Sequence, residues 1–326
     1  MRRIAFLAGL AAVPLVARAQ EEYDPAVSAG VPTLRVLLGD ATVAAIDAQT
    51  FLYDGRRYRG TFERRPDGTV LSTVPLEAYL YSVVAREMPP SWPAASLQVQ
   101  AIVARTYVLQ RSSPKRDYDV VTSEADQVYA GMEAESPAAT AAVDATAGTT
   151  VRFGDAFAQV FYSSSCGGHT ESSADAWTGG AALPYLQGVV CPWCTASPDY
   201  AWTRSVPSDA LGRAFPDADV GTPTGLAVGT TDPSGRAREL VLTGDAGRAT
   251  ARGTAFRAAL GSRVVRSLLI RRITSGAGPG SFVIEGGGLG HGVGLCQWGA
   301  RGMGAAGKSA DDILNFYFPG TQRSHD

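Results

Sequence analysis

Between Val74 and Arg111 the chain places apolar residues at helical spacing on either side of a double proline. Leu76, Leu80, Val83 and Val84 follow the i, i+4, i+7, i+8 rhythm of one buried helix face, and Glu87 comes next on that stripe. Pro89 and Pro90 cannot continue the helix, and Pro89 disfavours helical geometry at Met88. Glu87 is therefore expected in the last turn, at the mouth of a corner. Beyond it, Ser91 reads as the cap of a second helix with Pro93 in its first turn. Leu97, Ala101, Ala104 and Val108 give that helix its apolar stripe, and Gln98, Ile102, Arg105 and Leu109 the adjacent row. A carboxylate on the core side loses solvation, which favours the neutral acid and raises its pKa. In that state Glu87 can deliver a proton to a leaving group. The alternative is a helix-end glutamate paired with Arg86 or Arg105. Arg105, beside a buried face, calls for an anionic partner or a polar substrate.

The rest of the pattern frames this pair. LRVLL, FLYDGRRYRG and TFERRPDGTVLS read as short strands, with Asp54-Gly55 and Asp67-Gly68 as hairpin turns, and make an antiparallel module over 32–73. Ser112 to Tyr118 reads as a polar linker and Ala138 to Ala147 as a short helix ending at Gly148. TVRFG and AFAQVFYSSS read as a strand pair across Gly154-Asp155. Residues 163–200 are rich in glycine, serine and cysteine and read as an ordered loop region. Over 205–275, helical SDALGRAF and GTAFRAALG alternate with strand-like ARELVLTG and RATARG, as expected of an inserted α/β subdomain. Phe282 to Glu285 reads as a strand, and Asp311 to Phe318 as a last helix stopped by Pro319-Gly320. The expected class is α+β: a central helix pair flanked by antiparallel strands and long glycine-rich loops, with its core in 74–204 and 276–322.

Composition narrows the class. The chain has 326 residues, 45% hydrophobic and 18% charged, with a net charge of -2. That is enough for one large domain or two modest ones, without the basic footprint of a nucleic-acid binder. Arg2 and Arg3, the apolar run Ile4–Val16 and Ala17-Arg18-Ala19 read as a cleavable signal peptide over 1–19, followed by a polar, disordered lead over 20–31. The run is short and broken by Pro14, so no membrane span is expected in the mature chain, which should be exported.

Two further stretches carry candidate chemistry. GGGLGHGVGLCQWGARG, Gly286 to Gly302, presents His291, Gln297 and Trp298 from a glycine-rich loop, and Trp298 offers a face for a sugar ring. A tight structural loop around a core tryptophan is the competing reading. GMGAAGKS, Gly302 to Ser309, matches the phosphate-loop pattern GxxxxGK[ST], but no βαβ unit surrounds it, and no nucleotide is expected. The four cysteines are Cys166, Cys191, Cys194 and Cys296. Two readings stay open: a structural zinc site from Cys166, Cys191 and Cys194 with Cys296 or His169 fourth, or one or two disulfides.

VPLEAYLYSVVAREMPPSWPAASLQVQAIVARTYVL resembles the signature of the stage II sporulation protein D / LytB amidase-enhancer family. GHGVGLCQWGARGMG resembles its second signature, which normally has a small residue where Cys296 stands. The resemblance covers about residues 33–322. It implies a peptidoglycan lytic transglycosylase that cuts between N-acetylmuramic acid and N-acetylglucosamine in glycan lacking stem peptides. Glu87 would be the single catalytic acid and base. Gln100, Arg105, Tyr107, His291, Gln297 and Trp298 would line the cleft. The family also includes amidase enhancers, thought to bind the wall or stimulate an N-acetylmuramoyl-L-alanine amidase without cutting. Some members bind zinc through a histidine in an FHS-type segment. Here that segment reads Phe161-Tyr162-Ser163, so that ligand set does not transfer.

Overall fold

Residues 33–75 form six strands: β1 (Thr33–Gly39), β2 (Val43–Ala45), β3 (Thr50–Tyr53), β4 (Arg56–Arg59), β5 (Thr61–Arg64) and β6 (Val70–Pro75). The computed structural model describes residues 32–123, 126–177 and 179–325. The expected signal and lead, 1–31, lie outside the described residues. β1 alternates buried Leu34, Val36 and Leu38 with outward positions, the period-2 pattern of a half-buried strand. It pairs antiparallel with β6 and parallel with β7 (Val120–Val121) in a sheet ordered β5-β6-β1-β7. β2, β3 and β4 make a separate antiparallel sheet. Its β3–β4 turn holds Asp54 and Gly55 at φ 48° and 73°, the left-handed pair that a two-residue type I′ hairpin requires.

β6 runs straight into α1 (Leu76–Glu87). Met88 leaves the helix at φ -131°, ψ 138°, the extended geometry that Pro89 imposes on its predecessor. α2 (Ala94–Arg111) starts later than expected, with Pro93 at the N-cap and no side-chain cap from Ser91. Trp92 precedes a proline and is held out of helical geometry, so the helix cannot begin before Pro93. Both helices are buried around most of their circumference. On α2 even Gln100, Arg105 and Thr106 are enclosed, so its environment is a helical core and not an amphipathic stripe.

α3 (Pro137–Asp144) is N-capped by Ser136 and shorter than expected. β8 (Thr149–Phe153) and β9 (Ala156–Phe157) form the hairpin read from the sequence, but AFAQVFYSSS is not one strand. It resumes as β10 (Tyr162–Ser163), followed by the short α4 (Ser173–Ala176). A second apolar cluster spans 202–284 and is centred on Val206, Leu211, Leu240, Phe256 and Ile284. It is built from β11 (Trp202–Val206), α5 (Ser208–Ala214), β12 (Pro223–Thr231), β13 (Ala237–Gly244), β14 (Arg248–Arg252), α6 (Gly253–Leu260), β15 (Leu269–Ser275) and β16 (Phe282–Gly287). β12-β13-β14 and β11-β16-β15 are its two antiparallel sheets.

The chain returns to the first core through β17 (Leu295–Cys296), α7 (Gln297–Ala305) and α8 (Ala310–Tyr317), and ends on β18 (Gln322–His325), which pairs with β8. α7 is glycine-rich because it lies against other backbone. A Cβ at Gly302 would stand 2.1 Å from Trp193 O, and one at Gly299 would meet Tyr317 Oη. GMGAAGKS therefore spans a helix end, a turn and the N-cap of α8, where Ser309 and Asp312 form a reciprocal capping box. The described residues form a mixed α+β fold with eight α-helices and several antiparallel sheets. None of these helices is long and apolar enough to cross a membrane.

Candidate active site

Glu87 ends α1 half-buried. The Gln297 side-chain nitrogen donates to Glu87 Oε2 at 3.1 Å and lies 3.3 Å from Gln100 Oε1. Glu87, Gln100 and Gln297 thus form one contact chain across the start of α7, the end of α1 and the middle of α2. The parallel pairing of β10 with β17 sets this up, because it places Tyr162 opposite Leu295 and Ser163 opposite Cys296, immediately before Gln297. The pairing needs Gly294, whose Cβ would stand 2.3 Å from Phe161 O.

Three residues that the sequence reading did not single out back this carboxylate. Burial first, then the Glu87 carboxylate, push the Tyr162 phenol well above its usual range. The Tyr162 hydroxyl is enclosed and makes no hydrogen bond of standard geometry among the described residues. Tyr79, fully buried on α1, donates to Gln127 Oε1 at 3.1 Å. Burial dominates its raised pKa as well, with Asp126 and Glu87 adding to it. Tyr162 stands in the segment already noted for its missing histidine. Tyr79 and Gln127 left no signal apart from being polar atoms in apolar surroundings.

Trp298 packs edge-to-face against Trp92, with ring centroids 5.0 Å apart, and the Arg301 guanidinium lies 4.9 Å from the Trp298 ring. Both tryptophans are half-buried.

Arg105 is placed elsewhere. It is 0% exposed and grips Glu77 on the first turn of α1 with two bonds of 2.8 and 2.6 Å, and it donates to Thr149 O at 3.0 Å. The expectation that it binds substrate or fixes the ionisation of Glu87 is corrected. Its anionic partner is Glu77, and its guanidinium is enclosed by α1, α2 and the chain after α3. Tyr107 donates to Asp126 Oδ1 at 2.9 Å and lies under the Arg111 guanidinium. Burial pushes its pKa up to about 12. His291 faces a different space, a cavity of about 820 Å³ that none of Glu87, Gln100, Gln297 and Trp298 lines. Val293 N donates to its Nδ1 at 3.0 Å, and its ring stands 5.3 Å from that of Trp177.

Cys166, Cys191, Cys194 and Cys296 converge, with their sulfur atoms within 4.8 Å of one another and all four residues buried. Cys166 and Cys194 approach to 3.6 Å, well beyond the roughly 2.05 Å of a disulfide bond. Four thiolates at about 2.3 Å around a tetrahedral ion would be about 3.8 Å apart, so the cluster fits a zinc-type site. The polar surroundings fit as well. Cys166 N and Gly299 N both donate to Cys296 Sγ, at 3.2 and 3.3 Å, and Tyr317 Oη lies 3.1 Å from Cys191 Sγ. Cys296 completes the set. His169, the alternative fourth ligand, is not part of it, and its Nδ1 lies 2.6 Å from Thr170 O.

The profile of the family described as stage II sporulation protein matches residues 65–153, and a domain of unknown function (DUF8618) matches residues 194–294. An uncharacterized protein of Brachyspira hyodysenteriae is 34% identical over 280 residues, covering 83% of this chain and 73% of the relative. Stage II sporulation protein D of Bacillus amyloliquefaciens is 30% identical over 271 residues, covering 78% and 75%. The amidase enhancer of Bacillus subtilis is 27% identical over 294 residues, 74% of this chain and 40% of that longer protein. The similarity to stage II sporulation protein D, at 30% identity, spans three quarters of the relative, and the chain belongs to the stage II sporulation protein D family.

Proposed function

We propose that the protein is an exported peptidoglycan lytic transglycosylase that cuts the bond between N-acetylmuramic acid and N-acetylglucosamine with Glu87 as its one acid and base. The contact between Glu87 and Gln297 carries this reading, because it joins the acid to the second signature stretch 210 residues away. Ordinary glycosidases divide the work between two carboxylates. One suffices when the nucleophile is the substrate's own hydroxyl. Protonated Glu87 gives its proton to the glycosidic oxygen as the bond to the anomeric carbon breaks. The resulting carboxylate takes the proton of the muramyl 6-hydroxyl, whose oxygen closes on the same carbon. The product is a 1,6-anhydro end, no water is consumed and Glu87 is again protonated. Trp92 and Trp298 supply an aromatic face for a sugar ring.

The four cysteines would hold a structural zinc ion that cross-links the Cys166 loop, the Cys191–Cys194 turn and the start of α7. They do not join the proton transfers. Incubating the protein and a Glu87→Gln variant with denuded glycan, with products read by mass spectrometry, tests the assignment. Anhydro-muramyl products from the native protein alone are expected, and equal release by the variant would refute it.

The relative named amidase enhancer favours a second reading, a wall-binding module that stimulates an N-acetylmuramoyl-L-alanine amidase. Sedimentation with glycan, no sugar products and faster amidase turnover would select it.

A further inference from the structure

The cavity at His291 lies between two parts of the chain. One wall is Glu171, the end of α4 with Trp177, and Gly179 with Gly290 and His291; the other is the 230–268 portion of the second cluster. Its lining holds four carboxylates, Glu171, Asp175, Asp232 and Glu239, and four arginines, Arg236, Arg238, Arg252 and Arg257, but they are not evenly paired. Asp175 is paired with Arg238, and Glu171 lies 3.8 Å from Arg236. Asp232 Oδ1 accepts from the Arg236 backbone and from Ser234 Oγ. Arg257, on α6, has no such partner: no carboxylate among the described residues pairs with it. Val265 O and Arg266 O accept from its Nε and Nη2 at 3.0 and 3.1 Å. Carbonyls satisfy hydrogens but do not neutralise charge. Nη1 makes no hydrogen bond among the described residues and remains available. Arg236, nearly fully buried in the same wall, keeps its Nε without a partner.

A desolvated guanidinium without a counter-ion is costly, and a cavity wall is where a ligand anion can supply one. The volume, about 820 Å³, suits a small polar molecule. Trp177, 37% exposed and packed on the His291 and Phe161 rings, gives the cavity an apolar wall beside the charge. We propose that this cavity is a second binding site, separate from Glu87, which takes a carboxylate on a compact sugar or peptide body, with Arg257 as its counter-charge. Burial lowers the Arg257 pKa with no opposing carboxylate, and burial first, then the Arg257 and Arg236 charges, lower that of His291. An approaching carboxylate meets an arginine fork already fixed on one edge by backbone carbonyls, which lowers the ordering cost of binding.

The choice of probes rests on the wall-substrate reading, while the site itself does not. In peptidoglycan a carboxylate can come from the lactyl group of muramic acid or from a stem peptide. Calorimetric titration of the full chain with N-acetylmuramic acid, a stem tetrapeptide and N-acetylglucosamine separates the two sources, since the last sugar lacks the carboxylate. Saturable binding of one of the first two is expected, with N-acetylglucosamine silent. Arg257→Gln should weaken it at least tenfold and Arg257→Lys less. Ala258→Trp, which fills the cavity and leaves Arg257 in place, should also abolish it, provided its thermal melt matches that of the native protein. Equal binding of N-acetylglucosamine, no saturable binding of any probe, or an Arg257→Gln affinity unchanged from native would overturn the proposal. Glu87→Gln should retain this binding while losing glycan cleavage, so failure at either site is read separately.

Discussion

Gln297 Nε2 donates to Glu87 Oε2 at 3.1 Å while standing 3.3 Å from Gln100 Oε1. A neutral amide in this position orients the carboxylate without cancelling its charge, as an arginine would. Gln297→Ala should therefore keep the fold and lower the turnover number for anhydro-product release about 10- to 100-fold, the worth of one hydrogen bond to a charged group, with a smaller effect on KM. Gln297→Glu should behave differently. Two carboxyl groups about 3 Å apart cannot both ionise cheaply, so one pKa rises and the activity profile should move to higher pH. An unmoved profile in Gln297→Glu would mean that the two side chains do not meet in the working enzyme.

The Arg105–Glu77 pair gives a stability prediction. Arg105 is wholly enclosed, whereas the Glu77 side chain is 21% exposed. Glu77→Ala leaves a buried guanidinium with carbonyl partners only and should cost roughly 3–5 kcal/mol, seen as a drop in Tm of about 6–15 °C. Arg105→Met leaves the more exposed partner behind and should cost less. The double variant Glu77→Leu with Arg105→Met should recover part of the loss. Cleavage per folded molecule, measured well below each Tm, should stay near native in all three. A turnover collapse in Arg105→Met at full folding would restore a substrate role for Arg105.

These cases show what was legible in the sequence. The helix–Pro-Pro–helix corner was readable because proline restricts its predecessor whatever the tertiary context, and Met88 obeys that rule. The same rule, applied to Trp92 before Pro93, excludes an α2 start before Pro93. Periodicity found the α2 stripe, since Leu97, Ala101, Ala104 and Val108 are all buried, but not that Gln100, Arg105 and Thr106 beside it are enclosed too. Arg105 was readable as needing an anion, but its choice of Glu77 over Glu87 depends on how α1 and α2 cross. The cysteine set was readable in membership, since a CxxC pair signals a knuckle. Selecting Cys296 over His169 required the parallel pairing of β10 with β17, a long-range contact with almost no local trace. His291 was grouped with Gln297 because they stand six positions apart on one glycine-rich stretch. The turn through Gly292 and Gly294, both at positive φ, sends the two to different spaces.

The four-cysteine cluster predicts that purified protein carries about one zinc per chain by elemental analysis. Cys194→Ser or Cys296→Ser should lose the metal and melt well below the native protein, because the ion would tie together segments up to 130 residues apart. Prolonged chelation should lower the native Tm, while reductant alone should not. A metal-free protein whose intact mass is 2 or 4 Da light under non-reducing conditions would assign the four sulfurs to disulfides instead.

His291 gives the pH dependence. Its pKa is lowered from 6.5 to about 4, chiefly by burial, with the Arg257 and Arg236 charges adding to the effect. The unfolded chain binds this proton with a pKa near 6.5, whereas the folded chain resists it until about 4. Between those values the unfolded state carries more protons, so stability rises with pH. The contribution is complete above pH 6.5, declines as pH falls through that window and is gone below about 4. A shift of this size is worth at most about 3 kcal/mol, reduced by whatever solvent still reaches the ring. His291→Gln keeps a polar side chain that cannot charge in this range. The Tm difference between native protein and His291→Gln should shrink or reverse in favour of the variant on going from pH 7 to pH 4. A difference that stays flat across the window would mean that His291 titrates alike in the folded and unfolded chain.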